Sequence, residues 1–340
     1  MARIGIIGSG SWGIALASLL HNNGHHVTVW SAFESEIDSL KKTRKLKTLP
    51  DLILPDSMEF TADLEQAMDE RDMLVTAVPS VYVRETAAKM RPFCREGQII
   101  VNVAKGIEES TLMTLSDILT EEIPQAEVAV LSGPSHAEEV SRGLPTTCVA
   151  GAAKKETAEY IQNVFMSPAF RVYVSPDIQG IEIGGALKNV VALAAGIADG
   201  LGYGDNTKAA LITRGIYEIA RLGIAMGGRF ETFCGLSGIG DLIVTCASMH
   251  SRNRRAGILI GKGYSMKEAM DEVQMVVEGG YSAKAGCALG KKYQVPMPII
   301  EQVNQVLFEG KAAQDAVEEL MLRDKTMENQ AIPWPEDVPS

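Results

Sequence analysis

The chain has 340 residues, 46% hydrophobic and 22% charged, enough apolar material for two packed domains. Its 32 Lys and Arg face 43 Asp and Glu, and the net charge of −11 argues against a nucleic-acid partner, whose phosphates require positive surface. Five cysteines (Cys94, Cys148, Cys234, Cys246, Cys287) without C-x-x-C spacing fit reduced thiols, and the histidines add no metal-ligand spacing, so no metal site is expected.

Along the chain, β-rich runs at residues 3–7, 26–30, 73–78, 98–103, 127–131, 145–150 and 170–174 alternate with helical patterns at 12–21, 81–91, 111–120 and 154–166. Such alternation predicts a doubly wound, mostly parallel α/β sheet with helices on both faces. Past Ser175-Pro176-Asp177 the strand pattern stops. Helical stretches rich in Ala, Ile, Leu and Met follow at 178–201, 206–226, 253–261, 266–273, 281–293, 299–308 and 312–321. The expected organisation is an α/β domain over 1–177, an all-α domain over 178–328 and a disordered, proline-bearing tail over 329–340. No signal peptide is evident at the start. The most apolar long segment, 184–202, holds Lys188, Asn189 and Asp199, whereas a membrane span needs about 20 mostly apolar residues. A cytoplasmic protein without a membrane span is expected.

Gly8-Ser9-Gly10-Ser11-Trp12-Gly13 fits G-x-G-x-x-G between a predicted strand and a predicted helix. Gly8 permits the tight turn, Gly10 the approach of a pyrophosphate and Gly13 close helix–strand packing, with the helix N-terminus facing the negative charge. In this context the pattern reads as a Rossmann-like dinucleotide site rather than a flexible turn. The second strand ends at Trp30-Ser31-Ala32-Phe33-Glu34, with no acid or arginine at the strand end itself. Glu34 comes late and can simply start the next helix, so the choice between NAD and NADP stays open.

Four further stretches can carry chemistry. Lys188, taken on a helix, shares its face with Gly184, Gly185, Val191, Ala192 and Ala195, none of which can pair with it. That face leaves room for a ligand and an ammonium short of partners, suited to proton transfer; a snorkelling lysine is the alternative. Lys105 follows a strand, where open α/β sheets bind ligands, or is an ordinary loop lysine. In "LSGPSHAEE", Gly133 and Ser135 can offer donors to a ligand, while Ser135 and Glu138 also fit a capping box. In "GLSGIGDLIVTCASMHSRNRRAG", an irregular glycine loop leads to Asp241, and Ser251 caps a helix that opens with Arg252, Asn253, Arg254 and Arg255. Cations there oppose the helix dipole. Either acids elsewhere neutralise them, or a bound phosphate turns the misfit into an anchor.

Taken together, "GSGSWG", "VAKGIE", "LSGPSHAEEVSRGLPT", "GGALKNVVALAAGIADGLGYGDNTKAALITRG", "GLSGIGDLIVTC", "SRNRRAG" and "VVEGGYSA" resemble the NAD(P)-dependent sn-glycerol-3-phosphate dehydrogenases of bacterial type, over residues 3 to 321. The resemblance implies reversible reduction of dihydroxyacetone phosphate with NADH or NADPH, for glycerophospholipid synthesis, at a cleft between a Rossmann-like and a helical domain. It implies Lys188 as the catalytic proton donor and acceptor, and substrate contacts from Lys105, Gly133, Ser135, Asp241, Ser251, Arg252 and Asn253. Cofactor contacts are implied for Ser11, Trp12, Lys105, Ala137, Arg252, Val276 and Glu278, beside Gly8, Gly10 and Gly13. A homodimer is the expected assembly, and the small phosphorylated substrate the expected partner. The chain departs from the pattern at His136, where phenylalanine is usual and which reads as a packing residue, and at Ser31-Ala32-Phe33, where many members carry an arginine that favours NADP.

Overall fold

The computed structural model describes residues 1–274, 276–328 and 334. The expected tail at 329–340 therefore lies, Trp334 aside, outside the described residues. Eight strands form one sheet: β1 Arg3–Ile7, β2 His26–Trp30, β3 Glu59–Thr61, β4 Met73–Thr76, β5 Ile99–Asn102, β6 Glu127–Ser132, β7 Thr146–Ala152 and β8 Phe170–Ser175. Their order is β3-β2-β1-β4-β5-β6-β7-β8, and β1 to β6 run parallel. That is the doubly wound order, with β2 and β4 flanking β1 at the switch point.

Two apolar clusters, one on each face, bury the sheet. Ile4, Ile6, Val27, Val29, Met73 and Val75 belong to one, and Ile7, Trp30, Leu74 and Ile100 to the other. Strands covered on both faces read as continuous apolar runs, which is why RIGII and HVTVW stand out in the sequence. β3 has only three residues and carries no such run.

β7 departs from the parallel pattern and runs antiparallel to β6. The connection between them holds only the one-turn helix Ala137–Val140, too little for a crossover, so the chain turns back. The full helix Lys155–Phe165 then carries the chain over to β8, which lies parallel to β7. The predicted helix at 111–120 starts late, at Leu115: Leu112 has φ +63° and Thr114 with Asp117 forms the capping box.

Beyond Ser175 the described residues form helices joined by turns and loops, with no strand among them. Asp177 caps the helix Ile178–Gly200, its carboxylate accepting from Gly180 N at 2.9 Å. This helix is apolar and long enough to cross a membrane, yet its apolar window is 100% buried inside the protein, as the axis of the helical core. Phe230–Ala247 is long and apolar enough by the same measure, but non-helical Gly238 breaks it. Glu182 joins the axis helix to the sheet domain, accepting from Ser116 N and Asn102 Nδ2 at 3.1 Å each. Burial pushes its carboxyl up to about 7.

The helix Arg252–Gly261 crosses the axis helix at backbone contact. A Cβ on Gly196 would lie 2.1 Å from the Arg254 carbonyl oxygen, and one on Gly257 2.3 Å from that of Leu193. Glycine at the crossing brings the start of the arginine helix close to the middle of the axis helix.

Candidate active site

The glycine loop closes between β1 and the helix Ser11–Asn22. Gly8 has φ +126°, which L side chains rarely adopt, and its N–H donates to Trp30 O at 3.0 Å. A Cβ on Gly13 would sit 2.2 Å from Gly8 O, whereas one on Gly10 would meet nothing within 4 Å. Gly8 and Gly13 are thus required by the fold, and Gly10 leaves open space over a helix N-terminus with no side-chain cap. An anion-binding cradle needs this combination, and a dinucleotide pyrophosphate fits it. Ser11 Oγ lies 2.6 Å from Thr48 Oγ1, and Trp12 packs half-buried against the sheet core. The short helix beginning at Ala137 packs against the glycine-loop helix.

The chemistry-bearing lysines meet on one carboxylate. Lys188 Nζ donates to Asp241 Oδ1 at 2.6 Å, and Lys105 Nζ donates to Asp241 Oδ2 at 2.6 Å. Lys105 also donates to Gly133 O at 3.0 Å, and Ser135 Oγ to the same oxygen at 2.9 Å. The expected unpartnered ammonium is therefore corrected: Lys188 has Asp241 and, at 2.6 Å, Thr245 Oγ1. Its own helix offers no partner, as the sequence indicates, but the helix Asp241–Ala247 does. The small face is not empty space either. A Cβ on Gly184 would lie 2.8 Å from Ser237 O, and one on Gly185 3.5 Å from Lys105 Cγ. Those glycines admit the Asp241 loop and the Lys105 chain.

Burial is the largest influence on Lys188 and lowers its pKa to about 8; Lys105 pushes the same way, while Asp241 opposes. For Asp241 burial favours the neutral acid, but the two ammonium groups outweigh it and hold the carboxyl below its usual value. His136 is lowered by burial and then by Lys188, which favours its neutral imidazole. Its buried Nε2 has no hydrogen-bond partner, and its ring lies 5.8 Å from that of His250.

Ser251 caps the arginine helix as predicted, accepting from Arg254 N at 3.2 Å. The arginines then separate. Arg254 pairs with Asp199 at 2.7 Å and donates to Ala247 O at 2.7 Å, so an acid neutralises it. Arg252 donates to Val276 O at 3.3 Å and lies within the field of Glu278. Arg255 keeps a buried Nε without a partner. Asn253 is held at both ends of its amide, donating to Asn189 Oδ1 at 3.0 Å and accepting from Gly279 N at 2.9 Å. Glu278 bonds both the backbone N–H and the hydroxyl of Ser80, fastening the helical domain to the loop after β4.

One local expectation fails. Ser135 does not cap the helix; His136 occupies the N-cap position without a side-chain bond, and Ser135 turns to Gly133 O. The helix begins at Ala137, one residue later than a Ser135 cap would place it. Sequence reasoning also missed Thr245, Asn189 and Ser80. Thr245 had a signal: it stands four residues after Asp241, on the same helix face. Asn189 and Ser80 meet their partners only through tertiary packing.

A doubly wound sheet with this glycine loop, joined to a helical domain that brings a buried lysine to it, defines a two-domain NAD(P)-dependent dehydrogenase. The models for the NAD-dependent glycerol-3-phosphate dehydrogenase N-terminus and C-terminus match residues 3–158 and 177–318. The chain is 64% identical to a glycerol-3-phosphate dehydrogenase [NAD(P)+] from Agathobacter rectalis, covering 98% of this chain and 100% of that protein. It is 61% identical to one from Fusobacterium nucleatum, with 97% and 100% covered. A crystal structure of glycerol-3-phosphate dehydrogenase from Coxiella burnetii superposes with a TM-score of 0.91 at 36% identity, covering 95% of this chain and 99% of that one. The chain belongs to the NAD-dependent glycerol-3-phosphate dehydrogenase family.

Proposed function

We propose that Lys188 is the proton donor and acceptor in the reversible NAD(P)H-dependent reduction of dihydroxyacetone phosphate to sn-glycerol 3-phosphate. The observation that carries this reading is the convergence of Lys188 and Lys105 on buried Asp241, 2.6 Å from each. The dinucleotide that the glycine loop would hold supplies the hydride chemistry when bound. The protein has to orient the ketone, hold its phosphate and move one proton.

In reduction, Lys188 Nζ gives its proton to the ketone-derived oxygen as the carbon becomes tetrahedral, and solvent then reprotonates the amine. Its pKa of about 8 makes that donation easier than from an ordinary lysine and keeps most molecules charged at pH 7. Asp241 aims the ammonium, and Lys105, with the Gly133–Ser135 turn, lines the substrate side. Arg252, Ser251 and Asn253 at the helix start hold the phosphate. On the cofactor side we assign Gly8, Gly10, Ser11, Trp12, Gly13, Lys105, Ala137, Arg252, Val276 and Glu278. The bond between Glu278 and Ser80 supports this, since it ties that helix to the sheet's carboxyl edge.

We set the domain boundary at residue 177, supported by the end of β8 at Ser175 and the helix start at Ile178. A cytoplasmic homodimer completes the reading, supported by the resemblance and the free cysteines. The test is a spectrophotometric assay with dihydroxyacetone phosphate and either NADH or NADPH. Absence of cofactor oxidation by the pure protein would refute the reaction, and sedimentation as a monomer would refute the dimer.

A further inference from the structure

The corner where β2 ends holds an acid that the strand itself does not supply. Glu36, in the first turn of the helix Glu34–Thr43, reaches back over the glycine loop. Its Oε2 accepts from Ser9 Oγ at 2.7 Å and from Ser31 Oγ at 2.7 Å. Ser9 is the second residue of the glycine loop, and Ser31 follows β2 directly. Both serines are buried, and Ser31 Oγ also accepts from Phe33 N at 3.2 Å. The Gly8 N–H to Trp30 O bond locks loop and strand together beneath them. Glu36 is therefore an acid held in place over the loop, in the first turn of its helix. Among the described residues, no Lys or Arg nitrogen lies within ion-pair distance of it, and no hydrogen bond ends on Oε1.

In a doubly wound fold the end of β2 is where the adenosine ribose lies, and the charge there decides between a 2′-hydroxyl and a 2′-phosphate. We propose that Glu36, anchored by Ser9 and Ser31, is the residue that makes this enzyme select NADH over NADPH. The free Oε1 accepts from the 2′-hydroxyl of NADH. The same charge repels the 2′-phosphate of NADPH, and no arginine stands at residues 31–33 to offset it. Phe33 stands 64% exposed at the same corner. The proposal rests on the dinucleotide reading of the glycine loop but not on the identity of the substrate.

The test is binding, read from the fluorescence of NADH and NADPH titrated with the full-length protein and no substrate. NADH should bind at least about tenfold more tightly than NADPH at low salt, and the gap should narrow at high salt because the repulsion is exposed to solvent. Glu36→Gln should tighten NADPH by about tenfold while moving NADH by no more than about threefold, so that the ratio approaches one. A merely structural Glu36 would weaken both cofactors together, and that outcome overturns the proposal. Equal or tighter binding of NADPH by the unaltered protein overturns it without any variant. Selective NADH binding without turnover of dihydroxyacetone phosphate would refute the reaction and leave the role of Glu36 standing.

Discussion

Among the described residues, Asp241 and Asp199 each hold two cations, and they are not equivalent. Asp241 binds Lys105 and Lys188, while Asp199 binds Arg254 and Lys208. Charges and distances are alike. Exposure differs at the acid and at one cation of each: the Asp241 side chain is 2% exposed and Lys188 7%, against 16% for Asp199 and 21% for Lys208, while the second cations, Lys105 at 18% and Arg254 at 13%, are similar. In the deeper trio, desolvation outweighs the ion pair and brings Lys188 down to about 8, within reach of proton transfer near neutral pH. The shallower trio fastens the arginine helix to the axis helix and to Asp205–Ala225. A buried pair is a poor fastener because its desolvation cost rivals its attraction; its use lies in what it does to the lysine.

The sharpest way to break this contrast is to neutralise each acid in turn. Asp241→Asn leaves the buried Lys188 and half-buried Lys105 ammonium groups facing each other and should cost about 3–5 kcal/mol in urea unfolding. Asp199→Asn should cost about 1 kcal/mol and leave turnover nearly unchanged. Equal losses would mean that burial does not separate the two sites. Lys188→Ala should lower kcat by about a thousandfold, the range of a lost general acid, with NADH affinity preserved in a fluorescence titration. An active variant would remove the lysine from the chemistry.

The arginines offer a smaller test. Arg252→Ala should raise the KM for dihydroxyacetone phosphate by about 10–100-fold, as expected for a lost charge-assisted bond. Arg254→Ala, already neutralised by Asp199, should change KM less than about threefold and lower stability by about 1 kcal/mol. The pH profile is the gentlest probe. kcat/KM for reduction should fall as pH rises through about 8, where Lys188 loses the proton it donates, and oxidation should rise through the same pH. Because its folded pKa lies below the ordinary 10.5, the unfolded chain binds more protons between about 8 and 10.5, and the contribution of Lys188 to stability rises with pH across that window. In Asp241→Asn the repulsion from Lys105 is unopposed, so the alkaline limb should begin at lower pH.

Much of the architecture was legible because its signals are local. Continuous apolar runs announced β1 and β2, and G-x-G-x-x-G announced a backbone that needs positive φ at Gly8 and no Cβ at Gly13. Ser251 before three arginines announced a helix start. The direction of β7 was not legible, because it follows from a connection that holds only the one-turn helix Ala137–Val140, too little for a crossover. Nor was the answer to the arginine misfit, in which Asp199 takes Arg254 from 55 residues away.

By itself, then, the sequence determined the two-part organisation, the dinucleotide loop, the helix cap at Ser251 and the set of chemistry-bearing residues that marks the family. Only the tertiary structure decided which of them meet. Lys105 and Asp241 are 136 residues apart and Lys188 and Asp241 are 53 apart, yet all three share one buried point. Glu36 likewise acquires its place only when its helix folds back over Ser9 and Ser31. Backbone conformation is set by a residue and its neighbours, whereas an ionisable group is defined by the partners and the solvent it loses, and both are distributed along the whole chain.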